Sequence, residues 1–536
     1  MTGAAVPWWR SGVVYQVYPR SFQDSDGDGI GDLPGVERRL DHLAELGVDA
    51  VWLSPIYPSP MADFGYDVAD YCDVDPRFGA LADFDRLLAA AHARGLKLLL
   101  DFVPNHTSDR HPWFLESRSS RTDPRRDWYI WRDPAPGGGP PNNWISDFGG
   151  SSWEWDAATG QYYLHAFLPQ QPDLNWRNPQ LRAAMLGAMR FWLDRGVDGF
   201  RIDVLWHIVK AQGFPDNPPN PAWREGLGEM FRVLQTHSTD QPEAHAITAD
   251  MRRLVDGYAG DRVLIGEIYL PIPDLMRWYG APEAPEAHLP FNFQLIDAAW
   301  DAQALHAIIA DYEAALPPGG WPNWVLGNHD RPRIATRVGE AQARVAAMLL
   351  LTLRGTPTLY YGDELGLADV AIPAARVQDP RELREPGKGL GRDPVRTPMP
   401  WDPSPKAGFT TGDPWLPLNP DHATRNVQVE AAQPGSMLAL HRDLLRLRRS
   451  SPALSLGDLE LLAPQGAVLA FIRRHGDEQV LMALNLSSAA QDFALPAGWE
   501  RAAVRLGTRP DLPPTQAQDG RLRLRADEGV VLRSGT

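Results

Sequence analysis

Gly199-Phe200-Arg201-Ile202-Asp203-Val204 places two charged residues inside an apolar run that is typical of a buried β-strand. Residues two apart on a strand face the same side, so Arg201 and Asp203 are predicted to project together at the strand's end. A buried carboxylate is costly unless it is paired, and a neighbouring guanidinium keeps it ionised at neutral pH. An ionised, positioned carboxylate is suited to act as a nucleophile. A purely structural ion pair would explain this motif about equally well.

Short apolar runs like this one alternate with amphipathic segments over most of the chain. The predicted strands are Val13–Tyr18, Val48–Ser54, Leu96–Val103, Gly199–Val204, Val263–Tyr269, Phe291–Gln294, Trp324–Gly327 and Thr356–Tyr361. The helical segments include Gly35–Leu46, Leu81–Arg94, Pro179–Arg195 and Ala341–Leu353. Eight strands, each followed by a helix, indicate an α/β fold, a (β/α)8 TIM barrel. A doubly wound sheet is the alternative, which the regular units and the lack of a Gly-x-Gly-x-x-Gly motif disfavour.

Two long excursions and a change of pattern predict further domains. The stretch between the third strand and the helix at Pro179 is too long for a plain loop, so a small domain at residues 105–172 is predicted to be inserted in a barrel of residues 1–104 and 173–454. A second excursion, Gly366–Pro414, follows the eighth strand. After the helix Ser436–Arg449, short alternating runs predict a C-terminal antiparallel β domain at residues 455–536. Its predicted strands are Leu459–Leu462, Val468–Arg473, Val480–Asn485, Leu522–Arg525 and Gly529–Arg533.

Charge and composition exclude several classes of partner. The 536-residue chain has a net charge of −16 and no long basic block, which argues against a nucleic-acid partner. No apolar run reaches membrane-spanning length, and Met1–Arg10 lacks the basic and apolar regions of a secretory signal. The single cysteine, Cys72, excludes an intrachain disulfide. We therefore expect a cytoplasmic protein without a membrane partner, either a monomer or a homodimer.

Charged and polar residues follow several of the predicted strands, where a TIM barrel forms its active site. Asp101 ends the third strand, with Asn105 and His106 just beyond it. Glu267 ends the fifth strand, and Asn328-His329-Asp330 end the seventh. Together with Arg201 and Asp203 they form a group of carboxylates and histidines at one barrel mouth. Most enzymes that hydrolyse glycosidic bonds use a pair of carboxyl groups for the reaction.

The two best-placed carboxylates are predicted to differ in protonation. Asp203 has Arg201 beside it and is expected to be ionised. Glu267 ends an apolar strand without an adjacent cation, so burial and the nearby Asp203 charge are expected to raise its pKa. Glu267 is therefore the predicted general acid, and later the general base. Asp330 is a third carboxylate, suited to bind sugar hydroxyls while positive charge develops at the anomeric carbon.

An acidic loop follows the first strand. In Asp24-Ser25-Asp26-Gly27-Asp28-Gly29-Ile30-Gly31-Asp32, carboxylates and a glycine have the spacing of the start of an EF-hand loop. The loop is not a full EF-hand, because Gly35 stands where the last glutamate would be. A solvated acidic turn is the alternative to a metal site.

Four segments resemble the signature regions of the α-amylase superfamily of glycoside hydrolases. They are Asp101-Phe102-Val103-Pro104-Asn105-His106, Gly199-Phe200-Arg201-Ile202-Asp203, Gly266-Glu267 and Asn328-His329-Asp330. A fifth segment, Gln171-Pro172-Asp173-Leu174-Asn175, resembles the one that marks the oligo-1,6-glucosidase and α-glucosidase branch. The resemblance covers the barrel, the inserted domain and the β tail.

This resemblance implies a role for each matching residue. It implies that Asp203 is the nucleophile, Glu267 the acid/base and Asp330 the transition-state stabiliser. The residues implied to hold one terminal glucose are Asp63, Tyr66, His106, Phe167, Arg201, His329 and Arg392. Arg392 resembles the arginine that pairs with Asp63 and closes the end of the pocket, which implies exo action. The acidic loop resembles a structural Ca²⁺ or Mg²⁺ site with ligands Asp24, Asp26, Asp28, the Ile30 carbonyl and Asp32.

The function predicted from these features is an exo-acting, retaining α-glucosidase. It would act on small α-glucosides through a glucosyl ester on Asp203, and stacking walls from Trp206, Phe214–Trp223 and Tyr269 would favour transglucosylation. Val204 after the nucleophile often accompanies α-1,6 activity in related enzymes, whereas Ile268–Pro271 and the loop Phe214–Trp223 differ from isomaltose-active members. Maltose-type α-1,4 substrates are favoured. The alternatives are an oligo-1,6-glucosidase, a sucrose- or trehalulose-type hydrolase and, more remotely, a non-catalytic sugar-binding relative.

Overall fold

Eight short parallel strands form the central sheet of the computed structural model, which describes residues 6–509 and 517–534. We number these strands β1 Val14–Val17, β2 Ala50–Leu53, β3 Lys97–Phe102, β4 Gly199–Ile202, β5 Val263–Gly266, β6 Leu289–Pro290, β7 Asn323–Val325 and β8 Thr356–Tyr360. Their order around the sheet is β6-β5-β4-β3-β2-β1-β8-β7. A parallel bridge from Asn292 to Trp324 joins the two ends of the sheet. The TIM barrel predicted from the sequence is confirmed.

The sixth strand was predicted in the wrong place. The sequence predicted Phe291–Gln294, but the strand is Leu289–Pro290 and a short helix already begins at Gln294. The reason is local, because the side-chain oxygen of Asn292 accepts the backbone N–H of Gln294 at 3.2 Å and so starts the turn. The other seven predicted strands overlap observed ones, with ends that differ by up to three residues.

Helices cover the outside of the barrel. Their bounds are Leu33–Arg38, Leu40–Leu46, Leu81–Ala93, Pro179–Arg195, Glu243–Asp256, Ile272–Arg277, Ala302–Ala315, Glu340–Thr352 and Met437–Ser450. Further helices are Trp8–Ser11, Pro19–Phe22, Pro112–Ser119, Gln294–Asp297, Ile334–Val338, Pro380–Arg384, Val427–Ala431 and Pro452–Leu456. The helix Pro179–Arg195 shows how the sequence sets these bounds: the Asn178 side chain caps its first turn, and Gly196 ends it with φ +105°. Within the described residues, none of the helices combines the length and the apolar character needed to cross a bilayer.

Residues 105–172 leave the barrel after β3 and contain a three-stranded antiparallel sheet. Its strands are Trp131–Arg132, Trp153–Asp156 and Gln161–Leu164. The barrel resumes at the helix Pro179–Arg195 and packs around a large buried core. The inserted segment therefore stands beside the carboxyl ends of β3 and β4, where the charged residues emerge.

The chain ends in two antiparallel sheets. One contains Asp458–Gln465, Val468–His475, Glu478–Asn485, Ala503–Gly507 and Gly529–Arg533, and the other contains Gln491–Ala494, Ala517–Gln518 and Arg521–Leu524. Buried side chains from both sheets, such as Ile472 and Phe493, share one core. The five strands predicted here are present, and three short ones were missed. The C-terminal antiparallel β domain is confirmed as part of the fold.

Candidate active site

The register of the barrel brings three carboxylates onto one arginine. Asp101 lies opposite Arg201 where β3 pairs with β4. Arg201 Nη1 contacts Asp101 Oδ1 at 2.8 Å and Asp203 Oδ1 at 2.6 Å, and Nη2 contacts Glu267 Oε2 at 2.7 Å. Arg201 is only 1% exposed, so these contacts are strong, charge-assisted hydrogen bonds away from water. Arg201 and Asp203 do project together, as the two-residue spacing predicted.

The expected electrostatic difference, with an ionised Asp203 and a raised pKa only at Glu267, is wrong. Glu267 is not free of a cation, because the same guanidinium binds both carboxyl groups. Burial raises the pKa of Asp203 and the pKa of Glu267, and Arg201 opposes this rise at both sites. Two buried carboxyl groups that share one cation resist ionising together. The pair is thus suited to hold one proton, which supplies one acid and one base.

Glu267 has one further partner, and it comes from a strained residue. The backbone N–H of Val204 donates to Glu267 Oε2 at 2.8 Å. Val204 has φ +37° and ψ +48°, a left-handed conformation that is a clear outlier for a β-branched residue. Val204 lies just after β4, and its left-handed backbone conformation directs this N–H toward the Glu267 carboxylate.

Arg392 closes one end of the pocket. Its Nη2 contacts Asp63 Oδ1 at 2.6 Å and Asp379 Oδ1 at 2.7 Å, and its Nη1 lies 3.4 Å from Asp330 Oδ1. Burial raises the pKa of Asp63 although Arg392 opposes it. For Asp379 burial is outweighed by Arg392, and the pKa falls to about 2. Asp379 was not predicted from the sequence, because it comes from the long excursion after β8, which has no regular pattern.

Asp330 is the ionised carboxylate of the site. Burial works to raise its pKa, but the adjacent His329 ring and nearby guanidinium groups hold the pKa of Asp330 well below its usual range. Arg396 Nη2 contacts Asp330 Oδ1 at 2.8 Å, and Arg396 Nε donates to the His329 carbonyl at 2.8 Å. Arg396 was also missed by the sequence analysis, although it lies only four residues after Arg392.

Two neutral histidines and a tyrosine complete the pocket. The Tyr66 hydroxyl lies 2.6 Å from His329 Nε2 and donates to Asp101 Oδ2 at 3.0 Å. His106 Nε2 lies 3.0 Å from the Tyr66 carbonyl and 3.1 Å from Gln171 Nε2. Burial lowers the pKa of His106 to about 4 and lowers the pKa of His329 well below its usual value. Both rings are therefore uncharged at neutral pH and act through hydrogen bonds and shape.

The predicted catalytic and glucose-binding residues meet at one cavity of about 710 Å³. We call its buried part the inner pocket, which is lined by Asp63, Tyr66, His106, Phe167, Asp203, Glu267, His329, Asp330 and Arg392. Arg201, the remaining predicted residue, lies behind it in contact with Asp203 and Glu267. Gln171 also lines the pocket and donates to Asp63 Oδ2 at 3.3 Å. Gln171 is the first residue of the segment that resembles the α-glucosidase branch. That resemblance was the sequence signal that could have identified Gln171 as a pocket residue.

The rest of the cavity is more open, and we call it the outer chamber. It is lined by Asp147, Met230, Phe231, Gln235, Ile372, Arg381, Glu382 and Leu390, while Trp206 and Tyr269 border both parts. The predicted walls from Trp206 and Tyr269 are present. The predicted wall from Phe214–Trp223 is wrong, because none of these ten residues, all of them described by the structure, lines the cavity. Phe214 instead packs with Trp144 and Trp153 in a core of the inserted segment.

The acidic loop after β1 gathers three carboxylates outside the cavity. Oxygens of Asp24, Asp26 and Asp28 all lie within 4.8 Å of one another. The fourth predicted aspartate, Asp32, is not in this group; its carboxylate accepts N–H bonds from Ser25 at 2.9 Å and Gly35 at 2.6 Å. The group offers only hard oxygen donors, which suits Ca²⁺ or Mg²⁺.

Backbone hydrogen bonds join this loop to the end of the excursion that follows β8. Asp24 N donates to the Phe409 carbonyl at 3.0 Å, and Trp415 N donates to the Gly29 carbonyl at 3.1 Å. Gly29 has φ +91°, and a Cβ there would collide with the Asp413 carbonyl. Order in the acidic loop is thereby coupled to the segment that carries Arg392 and Arg396.

Family models match nearly the whole chain. The alpha amylase catalytic domain matches residues 16–457, and the maltogenic amylase C-terminal domain matches residues 459–527. A probable alpha-glucosidase of Rhizobium meliloti (strain 1021) is 42% identical over 503 residues, which cover 91% of each chain. An oligo-1,6-glucosidase of Parageobacillus thermoglucosidasius is 39% identical, over 91% of this chain and 92% of its own.

Solved structures agree with the fold. The alpha-glucosyl transfer enzyme XgtA superposes with a TM-score of 0.94 at 42% identity, covering 99% of this chain and 100% of its own. The trehalulose synthase MutB from Pseudomonas mesoacidophila MX-45 has a TM-score of 0.90 at 37% identity, covering 99% and 100%. The likeness therefore extends over the barrel, the inserted segment and the β tail together.

Proposed function

Because the chain belongs to the α-amylase family of glycoside hydrolases, we propose that it is an exo-acting, retaining α-glucosidase. It releases the terminal non-reducing α-glucose from short substrates. The observation that carries this proposal is the closed inner pocket: Asp203 and Glu267 share Arg201 at one side, and Arg392 binds Asp63 and Asp379 at the far end. Because these buried charged residues close the end of the pocket, a polysaccharide chain cannot extend through it.

The geometry supports a division of work between the two carboxyl groups. Positive charge that develops at the anomeric carbon favours the ionised form of Asp203, and this leaves the shared proton on Glu267. Asp203 attacks that carbon while Glu267 protonates the departing oxygen. The bond to the leaving group breaks, and a glucosyl ester on Asp203 forms. Glu267, now ionised, then takes the proton of the incoming water or alcohol as its oxygen displaces Asp203.

The other residues of the inner pocket hold and orient the glucose. Asp63 and Arg392 present charged hydrogen-bonding groups at the closed end, and the neutral His106 and His329 are suited to bind hydroxyl groups. Asp330, whose pKa lies below its usual range, supplies negative charge while the oxocarbenium-like state forms. Phe167 and Tyr66 give the ring apolar contact.

The experiment that tests this proposal follows the anomeric form of the first product. With 4-nitrophenyl α-glucoside as substrate, which releases only one glucose, NMR before mutarotation should show α-glucose, because two displacements retain configuration. Soluble starch should be a far poorer substrate than maltose. Release of β-glucose, or early viscosity loss with amylose, would contradict retention or exo action.

The preferred linkage is a finer proposal, and we favour maltose-type α-1,4 substrates. The Rhizobium relative carries the name probable alpha-glucosidase, which fits this preference. The alternative is α-1,6 activity, which Val204 and the oligo-1,6-glucosidase relatives favour. A sucrose- or trehalulose-type reaction has the support of the MutB neighbour. The ratio of kcat/KM values for maltose, isomaltose, sucrose and trehalose separates these substrates.

The acidic loop is proposed to bind one structural divalent cation. Asp24, Asp26 and Asp28 would hold it, with the Ile30 carbonyl and Asp32 as the further ligands that the family resemblance implies. Such an ion would neutralise three clustered carboxylates and take no part in the bond cleavage. A cytoplasmic location and a monomeric or homodimeric state remain predictions from the sequence.

A further inference from the structure

A second cavity of about 200 Å³ lies at the opposite end of the barrel from the active site, and we call it the basal cavity. It lies where three strands begin, because Lys97 starts β3, Asp198 directly precedes β4 and Arg262 directly precedes β5. The rest of its lining is His92, Gly95, Leu96 and Gly260. It shares no lining residue with the active-site cavity. Its chemistry is therefore independent of the proposed glucosidase reaction.

One buried carboxylate holds the charged side chains of the basal cavity together. Asp198 is 1% exposed. Its Oδ1 contacts Arg262 Nη1 at 2.6 Å and Lys97 Nζ at 3.3 Å, and its Oδ2 lies 2.6 Å from His92 Nε2. The Leu98 N–H also donates to Oδ2, at 2.9 Å. Both oxygens of this carboxylate are thus used by the protein itself.

The cationic side chains outnumber this carboxylate. Among residues 6–509 and 517–534, Asp198 is the only acidic side chain within ion-pair distance of His92, Lys97 or Arg262. Lys97 and Arg262 set two formal positive charges against one negative charge, and His92 adds a third whenever its ring is protonated. The chain as a whole carries −16, so this cluster is a local exception. The excess charge favours an anionic ligand over a metal cation, since neither Lys nor Arg has an acceptor to offer a metal.

Arg262 and Lys97 keep donors that Asp198 does not use. Arg262 Nη1 serves both Asp198 and the Gly196 carbonyl, which it contacts at 3.1 Å. Arg262 Nε is buried and has no hydrogen-bond partner in the described part of the chain. A buried donor without a partner costs free energy. The Lys97 ammonium has three donors, of which Asp198 accepts one. A ligand with several oxygens would satisfy the donors that remain.

Two glycines leave room for such a ligand. A Cβ on Gly260 would lie 3.9 Å from Arg262 Cζ, so the guanidinium borders the space that this glycine leaves free. A Cβ on Gly95 would meet no heavy atom of the described residues within 4 Å. A volume of about 200 Å³ holds a small oxyanion together with a few waters, since one water takes about 30 Å³.

A phosphate group matches this set of donors. A guanidinium binds phosphate oxygens through parallel N–H bonds, and a lysine ammonium binds them as a point charge. Lys97 and Arg262 stand at the starts of β3 and β5, on either side of β4. A tetrahedral anion has oxygens that point in several directions and can contact both side chains at once, whereas a carboxylate has only two.

We propose that the basal cavity is a binding site for a phosphate group, carried either by inorganic phosphate or by a small phosphate monoester, and that Arg262 and Lys97 hold it. Phosphate bound here joins the starts of β3 and β5 beside Asp198. Because it binds the folded chain and not the unfolded one, it stabilises the barrel.

The test compares phosphate binding by the wild-type enzyme and by variants of the basal cavity. The line width in phosphorus NMR and the melting temperature are measured while inorganic phosphate replaces sodium chloride at constant ionic strength. Arg262→Gln and Lys97→Gln should each raise the Kd about ten-fold or more, because each removes charge-assisted hydrogen bonds. Asp198→Asn should instead lower the Kd, because phosphate then replaces the carboxylate that the two cations share.

Arg94→Gln is the matched control. Arg94 precedes the cavity residue Gly95 and pairs with Asp41 at 2.6 Å, but it does not line the cavity. This variant removes the same formal charge and should bind phosphate like the wild type. It also corrects for the general stabilisation of folded proteins by phosphate that is excluded from their surface. Glycerol 3-phosphate, titrated in parallel, identifies the source: similar binding assigns the site to monoesters, and binding of inorganic phosphate alone assigns it to the free ion.

The inference is overturned if the wild-type enzyme neither broadens the phosphorus line nor gains stability beyond that in sodium chloride. It is also overturned if Lys97→Gln and Arg262→Gln bind phosphate as tightly as Arg94→Gln, since the ion would then bind elsewhere. The Lys97 side chain is 33% exposed, so Lys97→Gln should fold and decides the question even if Arg262→Gln or Asp198→Asn does not fold.

Discussion

The inner pocket and the outer chamber share one cavity but are built in opposite ways. The inner pocket is made of buried charges that neutralise one another, with Arg201 and Arg392 each joining several carboxylates. The outer chamber is half-exposed, and Met230, Phe231 and Leu390 form an apolar part of its lining. One part fixes the position of a reacting sugar ring, and the other offers a surface that a range of leaving groups and acceptors can contact.

The difference follows from what each part must do. Charge that develops during the reaction is stabilised by groups fixed in advance in a dry site. Burying such groups is costly unless each one is paired, so a change in the inner pocket disturbs several partners at once. Apolar contact is not directional, so a change in the outer chamber should be local and graded. We therefore expect substitutions to affect activity and stability less the farther they lie from the inner pocket.

The largest effect is expected for Asp203→Asn. Without a nucleophile, kcat on maltose should fall on the order of 10⁴-fold or more. The melting temperature should stay the same or rise, because burial raises the pKa of Asp203 and so disfavours its charge in the folded state. Phe231→Ala, from the outer chamber, should leave hydrolysis of maltose within about ten-fold of wild type. Near-normal activity of Asp203→Asn would show that another group attacks.

A comparison of two arginines sharpens the contrast. Arg392→Gln leaves Asp63 and Asp379 as buried carboxylates without their cation, which should cost about 3–5 kcal/mol of stability and lower kcat/KM strongly. Arg381 lines the outer chamber and, within residues 6–509 and 517–534, forms no ion pair. Arg381→Gln should therefore change both quantities far less. Equal losses of melting temperature and kcat/KM in the two variants would contradict the dead-end pocket.

One buried group from each part of the cavity, His106 in the inner pocket and Asp147 in the outer chamber, should make stability respond to pH with opposite sign. The folded-state pKa of His106 is about 4, below the ordinary value of about 6.5, so the unfolded chain binds the proton first and stability falls as pH drops from about 6.5 to 4. The folded-state pKa of Asp147 is about 6, raised by burial. Its folded form therefore keeps a proton that the unfolded chain loses, and stability falls as pH rises from about 3.9 to 6.

Thermal unfolding of two variants between pH 4.5 and 7.5 checks these signs. Asp147→Asn should raise the melting temperature at pH 7.5 more than at pH 4.5, by the equivalent of about 1–3 kcal/mol. His106→Gln should flatten the loss of stability on the acid side. A pH profile of stability identical to wild type in both variants would contradict the buried positions of these groups.

The smallest effect is expected at the proposed metal site, the acidic loop, whose three clustered carboxylates lie outside both parts of the cavity. EDTA should lower the melting temperature by a few degrees, about 1 °C for each kcal/mol of lost binding energy in a chain of this length, and added Ca²⁺ should restore it. Asp26→Asn should abolish this response. A melting temperature that EDTA leaves unchanged would mean that Asp24, Asp26 and Asp28 form only an acidic turn.

Much of the inner pocket could be predicted because it is built from strand ends. Asp203, Glu267 and Asp330 follow apolar runs that alternate with helices, and this pattern places them at one barrel mouth. Asp379 and Arg396 could not be found this way, since they come from an irregular excursion whose path no periodicity defines. The wall assigned to Phe214–Trp223 failed for the same reason: the loop is aromatic, but Phe214 packs into the core of the inserted segment.

The sequence by itself determined the barrel, its excursions and the residue types that carry the chemistry, because hydrophobic periodicity and local motifs are properties of the chain. Only the tertiary structure decided which groups share a partner. Arg201 and Glu267 lie 66 positions apart, and the pairing of β4 with β5 makes one guanidinium serve both carboxyl groups. It also decided the outer chamber, where Phe231 and Leu390, which are 159 positions apart in sequence, both lie beside Gly228. Contacts between loops depend on how the whole chain packs, and no local pattern records them.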